Sequence, residues 1–450
     1  MQLTAEQKRS FYKLLFPALI EAVLVRLFHI VDSMMVGQMK GSTVAVAAVG
    51  LCGSPINLII SVCNGFFIGT TATIAWHYGA KQKRQARNVA YQSMAIALGI
   101  AVVFSALSLF AAEPIIRFVC GSNAAYEAAV TYYRINAYGF FFQILTLNIT
   151  AAFRGVGISK LPMVYNLIGG GINVFFNYLL IFGKWGFPAM GLEGAAWATV
   201  ISKVVAFLIA LEALLWKKSP IRFQKGISWK WERSIRVRLL PIGLTAAGEQ
   251  TLLQAGAMIS TKLIAGLTTA HVAANSVVNS IEAFAWSTGS ACNTASTSLF
   301  GRALGAGDEA LGKRFVRLTI RWAMLFAAVE MLVLGCFGTP LARLFTNDSS
   351  LYPVIVRIMF IAAATLPFIN GHQTFSGALR SAGDSVAPLI ASFISLWLFR
   401  VLCGYLVIDV LEWGIYAYRA CQMLDQATRC IIVLIFYYKG HWKRHLSKTA

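Results

Sequence analysis

The amino-acid sequence predicts an all-α integral membrane protein of twelve transmembrane helices, set as two parallel six-helix lobes with pseudo-two-fold symmetry about the membrane normal. Three observations carry this. Of 450 residues, 58% are hydrophobic and only 13% charged, with a mean hydropathy of +0.66, too apolar for a soluble chain. The long apolar runs, such as 89–112 and 323–338, lack the alternation of barrel strands, so helices must satisfy the backbone in hydrocarbon. Finally, the chain repeats itself at one fixed offset.

A membrane crossing takes about 20 apolar residues. The runs between charged punctuation predict helices at 14–36, 44–75, 89–112, 126–152, 161–183 and 191–216, then at 238–262, 271–300, 315–338, 353–378, 386–409 and 413–438. Segments 44–75 and 271–300 exceed one crossing and predict helices that tilt or project beyond the bilayer. The repeat sets AFRGVGISKLP at 152–162 against ALRSAGDSVAP at 378–388, with Ala152, Arg154, Gly157 and Pro162 recurring as Ala378, Arg380, Gly383 and Pro388, each 226 residues on. The same shift carries Gly79-Ala80 onto Gly305-Ala306, Arg87 onto Lys313 and Ala47-Ala48 onto Ala273-Ala274. Both copies of the Arg-Gly turn fall on one side of the membrane, so the repeats are parallel. The chain therefore divides into an amino-terminal lobe at 1–216, a basic linker at 217–238 and a carboxyl-terminal lobe at 239–450. Two such halves around a central cavity are the plan of carriers that rock about a midplane site.

The net charge of +21 invites a nucleic-acid reading, but no basic domain with interleaved aromatics exists. The cations occupy alternate loops instead. Lys217, Lys218, Arg222, Lys225, Lys230, Arg233, Arg236 and Arg238 fill the linker; Lys81, Lys83, Arg84 and Arg87 fill 79–88; Lys439, Lys443, Arg444 and Lys448 fill the tail. The intervening loops hold little beyond Lys40, Arg117, Lys184, Lys262 and Arg343. The positive-inside rule then makes both termini and the linker cytoplasmic. Lys8, Arg9 and Lys13 precede the first apolar run without a small-residue cleavage site, which predicts a retained first helix. Eight cysteines without CxxC spacing read as small core residues.

An ionisable side chain within a span costs about 2.5–3.5 kcal/mol on insertion scales, so each needs a partner or a task. In the first helix Glu21 and Asp32 are eleven residues apart, about three turns, and share a face with His29, while Arg26 points elsewhere as the main intramembrane cation. Asp32 reads either as a carboxylate that binds H⁺ or Na⁺ or as a residue capping the helix at the membrane edge. Glu249, within the polar run Glu249-Gln250-Thr251, falls near mid-membrane and predicts a coupling role. Glu282, with Asn275, Asn279 and Ser287 near its helical face, reads as a cavity residue or as an interhelical hydrogen-bond partner. Asn166, Asn173 and Asn177 stripe one helix face. Asp425 and Arg429 form an i,i+4 pair with a structural reading. No Walker A run, zinc-ligand spacing or nucleophile elbow occurs, so the expectation is no cofactor, no catalytic residue and an ion gradient as energy source.

The sequence resembles the multidrug and toxic compound extrusion family along nearly its whole length. VDSMMVGQM at 31–39, GLCGSPINLI at 50–59, YGAKQKRQARN at 78–88, FRGVGISKLP at 153–162, NVFFNYLLIFG at 173–183 and GLEGAAWATVIS at 191–202 carry the likeness in the first half. LPIGLTAAGE at 240–249, LFGRALGAGD at 299–308 and LRSAGDSVAP at 379–388 follow in the second. The resemblance implies export of organic, often cationic and amphipathic compounds in exchange for entering H⁺ or Na⁺; a monomer in the cell's inner membrane is the default expectation. It implies that Asp32 is the family's first-helix aspartate and Glu249 its seventh-helix glutamate, with Asn173 and Thr199 at positions that help form an ion site. Two departures favour protons: Asn177 stands where the family has an aspartate, and Phe368-Ile369-Asn370-Gly371-His372-Gln373 lacks the tenth-helix aspartate of some members. The nearest rival reading is a flippase for lipid-linked precursors, which calls for a more cationic cavity; a membrane-embedded transferase lacks its metal motifs here.

Overall fold

The computed structural model describes residues 3–39, 42–120, 125–217, 219–222, 231, 233–345 and 348–446. Lys40, Lys218, Lys225, Lys230 and Lys448, which carry part of the charge argument, and much of the 217–238 linker lie outside the described residues. Among those described no strand occurs. Twelve long helices follow in order. The first six are α1 (Ala5–Gly37), α2 (Ser42–Gly79), α3 (Lys83–Phe110), α4 (Tyr126–Gly155), α5 (Lys160–Phe182) and α6 (Gly191–Leu215). The second six are α7 (Leu240–Ala265), α8 (Thr269–Gly305), α9 (Glu309–Cys336), α10 (Tyr352–Ser381), α11 (Val386–Val410) and α12 (Gly414–Tyr438).

Nine of these, among the described residues, are long and apolar enough to cross a membrane by composition alone. The other three, α4, α7 and α8, fall short because they bury polar side chains: Asn136 and Asn148, then Glu249, then Asn275 and Asn293. Local signals set the ends. Thr4 and Gln7 close a capping box at α1, and Asp308 caps α9 by accepting from the amide of Leu311 at 2.7 Å. Gly183 ends α5 in the left-handed region at φ 63°.

The repeat reappears in three dimensions. α3 and α9, and α4 and α10, match end for end at the 226 offset, as do the starts of the short helices Ala112–Cys120 and Gly338–Phe345. Thr71 donates to the carbonyl of Ala151 at 3.1 Å, and its counterpart Thr297 donates to the carbonyl of Gly377 at 3.2 Å. The lobes touch through the two longest helices. α2, at 38 residues, extends roughly 57 Å at 1.5 Å per residue. Gly79 of α2 lies against the backbone of Arg302, and Gly305 of α8 lies against the backbone of Trp76. Since 76 and 302, like 79 and 305, differ by 226, this crossing obeys the two-fold. Only glycine lets two helix backbones approach so closely.

Other inter-lobe contacts cluster at the same end. Phe11, Leu14, Leu15 and Ala18 of α1 pack on Ala291, Ala295 and Leu299 of α8, and Ser298 donates to the carbonyl of Arg154 at 2.6 Å. Both ends of the described chain are here too, with Trp442 against Phe300. We call this the basic end, after its loops. Toward the opposite end the apposed helices α1, α2, α7 and α8 expose Met34, Val44, Val46, Met258 and Val272.

The linker boundary differs from the sequence expectation. Helical backbone is already present before residue 239, as a wide π-turn over Ile235–Leu239 that runs into α7. Ile235 and Leu239 are buried, so the apolar periodicity starts inside the basic stretch. Arg238, read as a loop cation, is instead buried, stacked 4.0 Å over the Trp76 ring and donating to the carbonyl of Ser381 at 2.8 Å.

Candidate functional site

Each lobe is built around one ionic node. In the first, Glu21 of α1 accepts from Asn166 of α5 at 2.7 Å and pairs with Arg154 of α4 at 3.1 Å. In the second, Glu249 of α7 accepts from Ser392 of α11 at 2.9 Å and pairs with Arg380 of α10. Arg154 to Arg380 and Asn166 to Ser392 are both 226 residues, and Glu21 to Glu249 is 228, so the nodes are copies. Three helices meet at each, which is why the Arg-Gly turn recurs: its arginine reaches back to the first helix of its own lobe. His372 stands 3.9 Å from Glu249, inside the second node.

Beside the first node lies a polar cluster whose aspartate and asparagines have no copy in the other lobe, while its Thr199 and Lys203 positions recur there as Asp425 and Arg429. Asn177 of α5 donates to Asp32 at 2.5 Å and to the Asn173 carbonyl oxygen at 3.3 Å; Asn173 donates to the Thr199 hydroxyl of α6 at 3.3 Å. The structure therefore brings together four residues singled out from the sequence. Asp32 does not cap α1, which continues to Gly37, and it faces α5 as Glu21 does. Of these amides only that of Asn177 reaches the carboxylate. Among the described residues no three of His, Cys, Asp and Glu gather as metal ligands. Lys203 of α6 acts electrostatically on Asp32 without a direct ion pair, its ammonium lying 5.3 Å from the Phe140 ring centre.

The second lobe holds several of its charges in pairs. Glu282 of α8 accepts from Arg419 of α12 at 2.9 Å, and Asn279 binds the same guanidinium at 2.9 Å, so the interhelical reading of Glu282 applies. Asp425 binds Arg429 at 2.7 Å, the expected i,i+4 pair, and also Arg400 of α11 at 2.8 Å. Arg400 comes from a π-helical stretch, Leu396–Cys403, whose wider turn alters which side chains face inward. Glu282, Trp286, Arg400, Arg419, Gln422 and Gln426 help line a cavity of about 130 Å³. Glu282 is thus both a cavity residue and an interhelical partner.

Two things escaped the sequence reading. Arg26 is not the main intramembrane cation: Lys203, Arg380, Arg400, Arg419 and Arg429 all sit within helices, and the three last stand in the apolar runs 386–409 and 413–438 where a scan for cations finds them. Glu330 of α9, accepting from Thr288 at 2.9 Å, is a further interior carboxylate.

Comparison with known proteins follows this geometry. Residues 17–179 and 246–406 each match the MatE family model, one copy per lobe. The "Probable multidrug resistance protein NorM" of Thermotoga maritima is 27% identical over 99% of this chain and 95% of its own. The "Uncharacterized transporter YisQ" of Bacillus subtilis is 27% identical over 95% of this chain and 94% of its own. Among solved structures, an outward-facing multidrug resistance transporter of the MATE family superposes with a TM-score of 0.88 at 21% identity, over 98% of this chain and 96% of that one. A transporter from Pyrococcus furiosus, whose binding pocket is described as of reverse polarity, gives the same score at 22% identity, with the same coverage. Its duplicated helices, its paired nodes and both family matches agree: this chain belongs to the MatE family of multidrug and toxic compound extrusion transporters.

Proposed function

We propose that this chain extrudes organic, chiefly cationic amphipathic compounds by alternating access, as a monomer in the cell's inner membrane, in exchange for protons bound by Asp32. One contrast carries the reading. Glu21, Glu249, Glu282 and Asp425 each bind a guanidinium, whereas Asp32 is held by a neutral amide. A proton on any of those four takes the counter-charge from an arginine, buried in three cases and partly exposed at Arg154. A proton on Asp32 strips no arginine of its partner; it removes the negative charge near Lys203 and changes how α1 holds α5. Asp32 and Glu330, which accepts from the neutral Thr288 hydroxyl, are therefore the carboxylates that can cycle during transport; the contact to α5 favours Asp32, and Glu249 serves to hold α7 to α10. Proton coupling is favoured over sodium because the cluster offers a single carboxylate, with the neutral Asn177 beside it in place of a second one. The basic end faces the cytoplasm by its lysine and arginine distribution.

The test uses purified protein in liposomes loaded with a fluorescent organic cation. Efflux driven by an imposed pH difference, lost in Asp32→Asn and kept in Glu249→Gln that folds, is the expected result. Efflux driven by sodium alone, or pH-driven efflux that survives Asp32→Asn, overturns it.

A flippase acting on lipid-linked precursors remains as a second reading because Arg400 and Arg419 line the second-lobe cavity. Reorientation of a fluorescent lipid-linked pyrophosphate by the same liposomes, without dye efflux, would select it.

A further inference from the structure

A second cavity, of about 410 Å³, lies at the basic end of the carboxyl-terminal lobe and shares no residue with the site above. The start of α9, the end of α12 and Phe375 of α10 form it. Its floor is apolar, made by Val316, Ile320, Phe375 and Tyr437, and its rim carries Lys313, Arg317, Lys439 and Lys443. Glu309 is the carboxylate that meets this rim, bonded to Lys313 at 2.6 Å and Lys443 at 2.9 Å. Four cations against one carboxylate leave a surplus of three positive charges.

Two further observations identify what fits. Tyr438 lines the cavity, and below it Ile435, Leu434 and Ile431 are exposed on the same face of α12, so an apolar track leads from the cationic rim into the bilayer. The repeat supplies a control. Tyr91 is the counterpart of Arg317 at the 226 offset, and in the amino-terminal lobe its hydroxyl donates to the carbonyl of Ile221, a fully buried linker residue, at 3.3 Å. One lobe fills this corner with its own chain. Among the described residues the other lobe places cations there.

We propose that this cavity binds the headgroup of an anionic phospholipid of the leaflet at the basic end, with the phosphate between Arg317 and Lys439 and the acyl chains along the Tyr438–Ile431 face. A guanidinium matches two phosphate oxygens at once, and aromatic rings at the membrane boundary suit the glycerol level. A soluble anion uses the rim but not the track; a neutral lipid uses the track but not the rim. This inference stands whether or not Asp32 carries the coupling.

The experiment measures binding of phosphatidylglycerol and of phosphatidylcholine to the purified full chain by native mass spectrometry, and thermal stability in vesicles of each lipid. Phosphatidylglycerol should bind preferentially and raise the melting temperature. Arg317→Gln with Lys439→Gln should weaken that binding by roughly 30-fold, from the loss of two cations near the surface. Lys83→Gln with Arg84→Gln, which removes equal charge at the same end, should leave it unchanged. Equal loss in both pairs, the same stabilisation by inorganic phosphate alone, or no preference for phosphatidylglycerol in the unaltered protein overturns the proposal. Melting of the Arg317/Lys439 variant in phosphatidylcholine, matching that of the parent, separates lost lipid binding from lost folding.

Discussion

The two lobes keep one ionic node in common and differ in what surrounds it. In the carboxyl-terminal node the side chains of Arg380 and Glu249 are 3% and 1% exposed; in the amino-terminal node Arg154 and Glu21 are 24% and 8% exposed. Beside the latter sit Asp32 and Asn177. At the offsets of 228 and 226 these become Ser260 and Cys403, which carry no charge. The carboxyl-terminal lobe sets most of its interior charges against one another, in Glu282–Arg419 and in Asp425 between Arg400 and Arg429, with Glu330 on Thr288 the exception. The shared node is therefore architectural, tying the first, fourth and fifth helices of each lobe, and the unshared cluster is where one lobe has specialised.

The largest effect that tests this comparison is Arg380→Ala. It leaves Glu249 buried without its counter-charge, and the expected loss is about 3–5 kcal/mol, read as a lowered midpoint in thermal or denaturant unfolding in micelles. Arg154→Ala should cost less than half as much, because solvent reaches that node; an equal or reversed ranking breaks the comparison. Replacing both Glu249 and Arg380 by leucine should restore most of the loss, since a buried pair exchanged for apolar volume is often neutral.

An intermediate effect is expected at the glycine crossing. Gly79→Ala and Gly305→Ala each press a methyl group into the facing backbone, at Arg302 and at Trp76. Each should destabilise by about 1–3 kcal/mol as overpacking does, and the two should agree closely. A strong inequality would show that the two-fold is not obeyed at the contact. The smallest effect is that of Asp32→Asn on stability, within about 0.5 kcal/mol, as the amide oxygen still accepts from Asn177. A large loss there would make Asp32 a structural member like Glu249.

Much of this architecture was legible in the sequence because hydrophobic length and an internal repeat are one-dimensional signals. The predicted segment 161–183 is α5, Lys160–Phe182, and 191–216 is α6, Gly191–Leu215. The asparagine stripe was legible for the same reason: spacings of seven and four place Asn166 and Asn177 on one face, and both meet α1. Partnership was not. Arg380 and Glu249 are 131 residues apart, and nothing local says that an arginine at a helix end turns back to a carboxylate in another helix. The repeat held part of that answer, since Glu21 and Arg154 recur together, but the two-residue shift between the first helices and the rest hides it at a single offset. Arg400 was hidden differently. Its helix departs from the regular 3.6-residue turn, so an ideal wheel misplaces it. Arg238 was misread because a charged residue in a basic stretch was assigned to the loop, although Ile235 and Leu239 already mark a buried face.

The crossing of α2 and α8 also bears on electrical insulation. At the basic end the barrier between the central space and the aqueous phase is made in part of backbone on backbone, with Gly79 and Gly305 in place of side chains. At these two points no side chain stands between the glycine and the facing backbone. A carrier must not let ions leak through it, because a leak would discharge the gradient across the membrane. Two glycines separated by one repeat length thus matter to the membrane as a capacitor, and not only to the protein as a fold.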